Sequence, residues 1–185
     1  MNTSENMRPE ELEKLRYPIG KYDRSQPLTT ATLEEALTSL AKHPGELRAT
    51  VVTLSDEQLD TPYRPGGWTV RQTIHHLADS HMNAYIRCKL ALTEDNPTIK
   101  PYEEALWSNL PDARDGAVEM SLNLLDGLHD RWVLCLENLT AEQWKRTFNH
   151  PESGITPLDL AVHLYAWHGK HHLTQIKNLR ERMDW

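Results

Sequence analysis

Apolar positions recur with a helical period along most of the chain, and the pattern predicts four long helices. Residues 1 to about 30 are polar, and within them Arg16-Tyr17-Pro18-Ile19-Gly20 reads as an extended arm. Thr32-Leu33-Glu34-Glu35 has the form of a capping box, in which side chains at the first and fourth positions bond each other's free backbone N–H groups. The leucine-rich helix that follows runs to about Leu54. A kink or split is expected at His43-Pro44-Gly45, because proline lacks a helical donor. Pro62, Pro65, Gly66 and Gly67 mark a loop, preceded by a turn of helix at Ser55-Asp56-Glu57-Gln58.

Thr69-Val70-Arg71-Gln72 is a second capping box and opens a helix to about Thr93. Asn96 to Pro101 breaks the pattern, Tyr102 to Asn109 reads as a short helix, and Pro111-Asp112 opens a third long helix over roughly Asp115 to Leu139. Thr140-Ala141-Glu142-Gln143 caps another short one, and 146–155 reads as irregular. Thr156-Pro157-Leu158-Asp159 then supplies a cap, a proline at the first helical position and an acid near the positive helix end, starting a helix to about Arg182. With no alternating strand pattern, this is an all-α chain, a four-helix bundle with short extra helices and an N-terminal arm over 1–30, taken as one domain over 1–185. Leu54-Ser55-Asp56-Glu57-Gln58-Leu59 resembles Leu139-Thr140-Ala141-Glu142-Gln143-Trp144, a weak internal echo consistent with two related halves.

Composition supports helix over sheet: leucine occurs 26 times against 12 for valine plus isoleucine. A net charge of −7 over 185 residues argues against a nucleic-acid binder, which would show a basic face. No run of eighteen apolar residues exists and Met1 to Ser25 lacks a signal-peptide core, so a cytoplasmic protein without a membrane span is expected. Cys88 and Cys135 read as reduced residues within helices.

The ten histidines are the unusual feature, and most fall in the second and fourth long helices. Phased at 100° per residue, Ala161, Leu164, Tyr165, Ile176 and Leu179 share one face of the last helix, and His168 and His172 fall inside it, one turn apart. Two imidazoles aimed at a core must be satisfied, either by hydrogen bonds or by a shared metal ion. A catalytic metal needs a third protein ligand, and the second helix offers His75, His76 and His81. His76 lies on a stripe with Thr73, Ser80, Asn83 and Arg87, which is either an ordinary solvated face or the wall of a polar cleft. His81 phases with apolar neighbours, as a structural hydrogen-bonding residue would. The acid pairs Glu34-Glu35 and Glu103-Glu104 read as surface, and Trp68 and Trp167 as an apolar wall near the site. No phosphate loop, nucleophile elbow or di-iron Glu-x-x-His set is present.

The stretch Gly66-Gly67-Trp68-Thr69-Val70-Arg71-Gln72-Thr73-Ile74-His75-His76-Leu77-Ala78-Asp79-Ser80-His81 resembles the YfiT group of the DinB-like superfamily, and the match continues through Asn83 and Arg87 to Leu92-Thr93-Glu94-Asp95-Asn96-Pro97. The arm Arg16 to Gly20 and the segment Trp167-His168-Gly169-Lys170-His171-His172-Leu173 share the resemblance. The group is described as metal-dependent hydrolases and includes bacillithiol S-transferases. The resemblance implies a four-helix bundle, often a homodimer, with one zinc- or nickel-type ion held by three histidines. The family pattern takes the histidine eight residues after the tryptophan, here His76, and both histidines of the late His-x-x-x-His motif, here His168 and His172.

Two chemistries fit such a centre. An ionised low-molecular-weight thiol could attack an electrophilic carbon, or a metal-activated water could hydrolyse a substrate. The absence of a Glu beside the His pair favours thiol transfer over peptide hydrolysis. Asp79 is a candidate to orient His76 or act as a base, and Asn83 and Arg87 to bind a polar or carboxylate-bearing thiol. The remaining reading is a non-enzymatic metal-binding bundle, which the lack of a fourth protein ligand disfavours. The partners expected are thus a small-molecule thiol and an electrophilic or hydrolysable substrate, with no nucleic acid and no membrane.

Overall fold

The computed structural model describes residues 7–185; positions 1–6 of the predicted arm lie outside the described residues. The chain runs α1 (Pro9–Arg16), α2 (Thr30–Val51), α3 (Asp56–Leu59), α4 (Val70–Thr93), α5 (Glu104–Trp107), α6 (Pro111–Asp115), α7 (Val118–Leu136), α8 (Ala141–Trp144), strands β1 (Thr147–His150) and β2 (Gly154–Pro157), and α9 (Leu158–Met183). The four long helices form the expected bundle. In it α2 packs on α7 and α9, and α4 packs on α7 and α9, so α2 lies diagonally from α4 and α7 from α9. Consecutive long helices therefore sit across a diagonal twice, and the long connections 52–69 and 137–157 make those crossings. No described helix is long and apolar enough to cross a membrane.

Several boundaries differ from the sequence pattern. The arm is not wholly extended: Pro9–Arg16 is helical, with Pro9 at its first position and Glu11 bonding back to Arg8. Thr29, not Thr32, caps α2, and Thr32 is its capping-box partner. The third long helix is divided, because the chain turns at Gly116 between α6 and α7. A Cβ at Gly116 would meet the Asp112 carbonyl oxygen at 2.2 Å, so the turn requires glycine. The stretch 146–155 contains β1 of a hairpin, with Phe148 opposite Thr156, and Pro157 is the cap of α9 and not its first residue. The boxes at Ser55, Thr69 and Thr140 form as the spacing requires.

Pro44 neither splits nor ends α2, which continues through it. Its missing N–H leaves the Leu40 carbonyl without a helical donor, a loss of roughly 1–3 kcal/mol if buried and unpaired. His129 on α7 supplies the donor instead, from Nδ1 at 2.7 Å.

The core has two apolar clusters. One gathers Leu40, Ala84, Trp132, Leu136 and Tyr165, and the other Leu47, Ile74, Leu77, Leu125 and Ile176. Between them each long helix contributes buried histidine: His43 from α2, His76 and His81 from α4, His129 from α7, His172 from α9. Gly169 permits the closeness of α2 and α9 here, since a Cβ at that position would stand 3.0 Å from the His43 ring.

Candidate metal centre

The start of α4 is clamped before its first site residue. Arg71 donates to Asp60 (2.6 Å), Asp56 (2.9 Å) and the Gly116 carbonyl (3.0 Å). His75 faces the same way: its Nε2 donates to the Gly116 carbonyl (3.1 Å) and its Nδ1 accepts from the Ser121 hydroxyl (2.7 Å). Both nitrogens of His75 are thereby consumed in holding α4 to the α6–α7 turn. One residue on, and about 100° further round the helix, His76 meets α9 at His168.

There the structure brings together His76, His168 and His172, with one nitrogen from each lying within 4.8 Å of the others. The Nε2 atoms of His76 and His168 are 3.2 Å apart. Two nitrogens bound tetrahedrally to zinc at 2.0–2.1 Å stand about 3.3 Å from each other, so the donor set fits a divalent ion. Burial holds all three imidazoles neutral, the form that ligates: His76 is pushed down to about 4, and His168 and His172 well below the usual value. Desolvation is the leading cause in each case, with the neighbouring histidines adding to it.

The surrounding side chains orient this set. Trp68 lies against His76, ring centres 4.5 Å apart, and Trp167 stacks on His171 at 4.7 Å, so both tryptophans wall the site as expected. Gln175 donates its amide to the Arg16 carbonyl (2.8 Å) and its Oε1 accepts from Nδ1 of His172 (2.8 Å). His171 bonds Gln175 at 3.0 Å and does not join the cluster. His81 stands behind His168, its Nε2 3.3 Å from Nδ1 of that residue. His163 faces away, toward the Asp159 carbonyl and Thr32.

Two cavities meet at His168. One, of about 520 Å³, is lined by Arg24, Ser80, Arg87, Tyr102, Tyr165 and His168 among others. The second, about 340 Å³, is lined by Tyr17, Trp68, His76, Trp167, His168 and His172 among others. Of the stripe Thr73, His76, Ser80, Asn83 and Arg87, all but the half-buried Asn83 are buried, and His76, Ser80 and Arg87 line the cavities, so this part of it is the wall of a cleft and not a solvated face. Arg87 is only 9% exposed and donates to the Tyr165 hydroxyl (3.2 Å). Its Nε has no partner, and among the described residues no carboxylate pairs with it. Asp79 and Asn83 line neither cavity; Asn83 instead donates to the Asp79 carbonyl (2.9 Å). Desolvation, then the Asp112 carboxylate, raises the Asp79 carboxyl to about 6.

Glu104 was legible only as a surface acid. It is exposed, yet it lines both cavities, and desolvation followed by the Glu152 carboxylate raises its pKa. No local spacing announces it, because α5 reaches the site only through the tertiary path of the 94–117 connection.

The family model described as the DinB superfamily matches residues 39–176. The chain belongs to the DinB superfamily. A relative from Bacillus cereus strain B4264, named "Putative metal-dependent hydrolase", is 52% identical over 174 residues, covering 94% of this chain and all of that one. A relative from Bacillus thuringiensis subsp. konkukian strain 97-27 carries the same description at 51% identity and the same coverage. Among solved structures, YfiT from Bacillus subtilis superposes with a TM-score of 0.90 at 47% identity, covering 93% of this chain and 99% of that one. That protein is described as "a probable metal-dependent hydrolase with an unusual four-helix bundle topology". The diagonal placement of consecutive helices found here fits the last words of that description.

Proposed function

We propose that this DinB-superfamily chain is a metal-dependent enzyme in which His76, His168 and His172 hold one divalent ion, zinc or nickel, and that it joins a small thiol to an electrophile. An ion held by three neutral imidazoles keeps its positive charge and an open position, and so ionises a thiol or a water near neutral pH. The observation that carries the transfer reading is the pair of cavities meeting at His168, because transfer brings together two organic reactants and hydrolysis only one. The thiol loses its proton, its sulfur bonds the electrophilic carbon, and the leaving group departs with the displaced electron pair.

In this reading the residues divide as follows. Arg87, a buried cation without a counter-ion, binds an anionic group of one reactant, and the Tyr165 hydroxyl holds the guanidinium in place. Trp68 and Trp167 exclude water from the smaller cavity. Glu104, the carboxylate common to both cavities, is the residue assigned to accept the proton. Asp79 and Asn83 are left to the helix surface beyond the cavities.

The second reading is hydrolysis, which the names of the relatives favour and which the same centre and Glu104 would serve. The two separate in one experiment on the metal-loaded chain. Conjugation of cysteine-type thiols to 1-chloro-2,4-dinitrobenzene, without cleavage of p-nitrophenyl esters, supports transfer. Ester cleavage without conjugation supports hydrolysis and overturns the first reading. A homodimer acting on small molecules in the cytoplasm completes the proposal, and light scattering tests the dimer.

A further inference from the structure

A chain of hydrogen bonds runs from a proline in α2 to the proposed metal ligand His168. Pro44 has no N–H, so the Leu40 carbonyl one turn earlier is free to accept from outside its helix. His129 Nδ1 lies 2.7 Å from that oxygen, His129 Nε2 lies 2.8 Å from His81 Nδ1, and His81 Nε2 lies 3.3 Å from His168 Nδ1. His81 and His129 are 0% and 1% exposed, so water does not offer alternatives.

The polarity of this chain follows from its end. A carbonyl can only accept, so the proton of neutral His129 sits on Nδ1 and its Nε2 accepts. His81 must then donate from Nδ1, which leaves its Nε2 to accept from Nδ1 of His168. His168 is left with its Nε2 lone pair aimed at His76, whose Nε2 is 3.2 Å away.

We propose that Pro44, the Leu40 carbonyl, His129 and His81 are a positioning chain that fixes His168 as the Nδ1–H tautomer with its Nε2 lone pair presented to the metal. The inference rests on the reading of His168 as a ligand, but its hydrogen-bond polarity stands without the ion. Each bond polarises the next, so the ligand nitrogen gains electron density from a backbone group three residues removed. An N–H at position 44 would compete for the Leu40 carbonyl and loosen the chain at its origin. Pro44, far from any ligand motif, is on this account a residue of the metal site.

Long-range ¹⁵N–¹H NMR of the imidazoles in the full-length chain reads the tautomers directly, with or without zinc. The expected result is Nδ1–H on His81, His129 and His168. Zinc affinity by chelator competition is expected to fall about 10–100-fold in His129→Asn, which loses the acceptor for His81. His129→Gln, which can restore that acceptor, is expected to recover most of the affinity. Pro44→Ala is expected to bind zinc more weakly while its unfolding midpoint holds or rises, a split that a purely structural proline would not produce. Should His129→Asn fail to fold, the tautomers and Pro44→Ala still decide. An Nε2–H proton on His81 or His129, or a Pro44→Ala chain that binds zinc as tightly as wild type, overturns the proposal. Failure of the wild type to bind zinc while the tautomers hold would refute the metal reading alone.

Discussion

Gln175 accepts a hydrogen bond from Nδ1 of His172 at 2.8 Å while its amide nitrogen donates to the Arg16 carbonyl. The backbone acceptor decides which way the amide faces, and the amide decides that His172 carries its proton on Nδ1. Its Nε2 lone pair is therefore free to ligate. The last residue of α1 thus reaches the candidate metal centre through one side chain.

Gln175→Leu removes the acceptor at similar volume and leaves the His172 proton unpaired. Metal affinity measured by chelator competition should fall about 10–100-fold, the usual effect of losing an outer hydrogen-bond partner. Gln175→Glu keeps an acceptor toward His172 and should retain most of the affinity. Equal affinity in wild type and Gln175→Leu would show that the contact does not orient the ligand.

Acid should destabilise the metal-free protein well above the range in which carboxylates protonate. Burial pushes His43 down to about 3 and His76 and His171 to about 4, against an ordinary value of 6.5. Below pH 6.5 the unfolded chain binds protons that the folded chain refuses, so stability falls as pH drops toward 4. Each such histidine contributes a slope of up to about 1.4 kcal/mol per pH unit. Asp79, raised to about 6, opposes with the slope of a single group. The unfolding midpoint of the metal-free chain should therefore decline steeply from pH 7 to pH 5. A flat profile would mean that these imidazoles are not buried neutral.

Arg87→Gln removes a buried charge that has no carboxylate partner. Stability should stay level or rise, since an uncompensated buried cation costs free energy. Reaction with a carboxylate-bearing thiol should lose about tenfold or more in kcat/KM, mostly through KM, while an uncharged thiol of the same length is little affected. A large loss of stability, or an equal effect on both thiols, would make Arg87 a structural residue.

How much of this was readable beforehand depends on the range of the interaction. The caps at Thr69 and Thr140 were legible because both partners lie three residues apart, whereas Thr32-Leu33-Glu34-Glu35 has the same spacing and yet the cap is Thr29, one turn earlier. The His168–His172 pair was legible because a single helix face carries it. The continuity of α2 through Pro44 was not, because the donor that compensates the proline comes from α7. His43 and His129 each look like a lone histidine on an apolar face, and the layer they form exists only once four helices meet. The hairpin of β1 and β2 has four-residue strands, too short for an alternating pattern to stand out. Glu104 reaches the cavities through a connection whose path no local motif encodes.

The central claim is that three histidines from two helices hold one ion, and elemental analysis of purified wild type beside His76→Ala, His168→Ala and the neighbour variants His75→Ala and His171→Ala tests it most directly. The account predicts about one divalent ion per chain in wild type, its loss in folded His76→Ala and His168→Ala, and its retention in folded His75→Ala and His171→Ala. Full occupancy in His76→Ala and His168→Ala, or no ion in wild type even after zinc and nickel are added back, would contradict it.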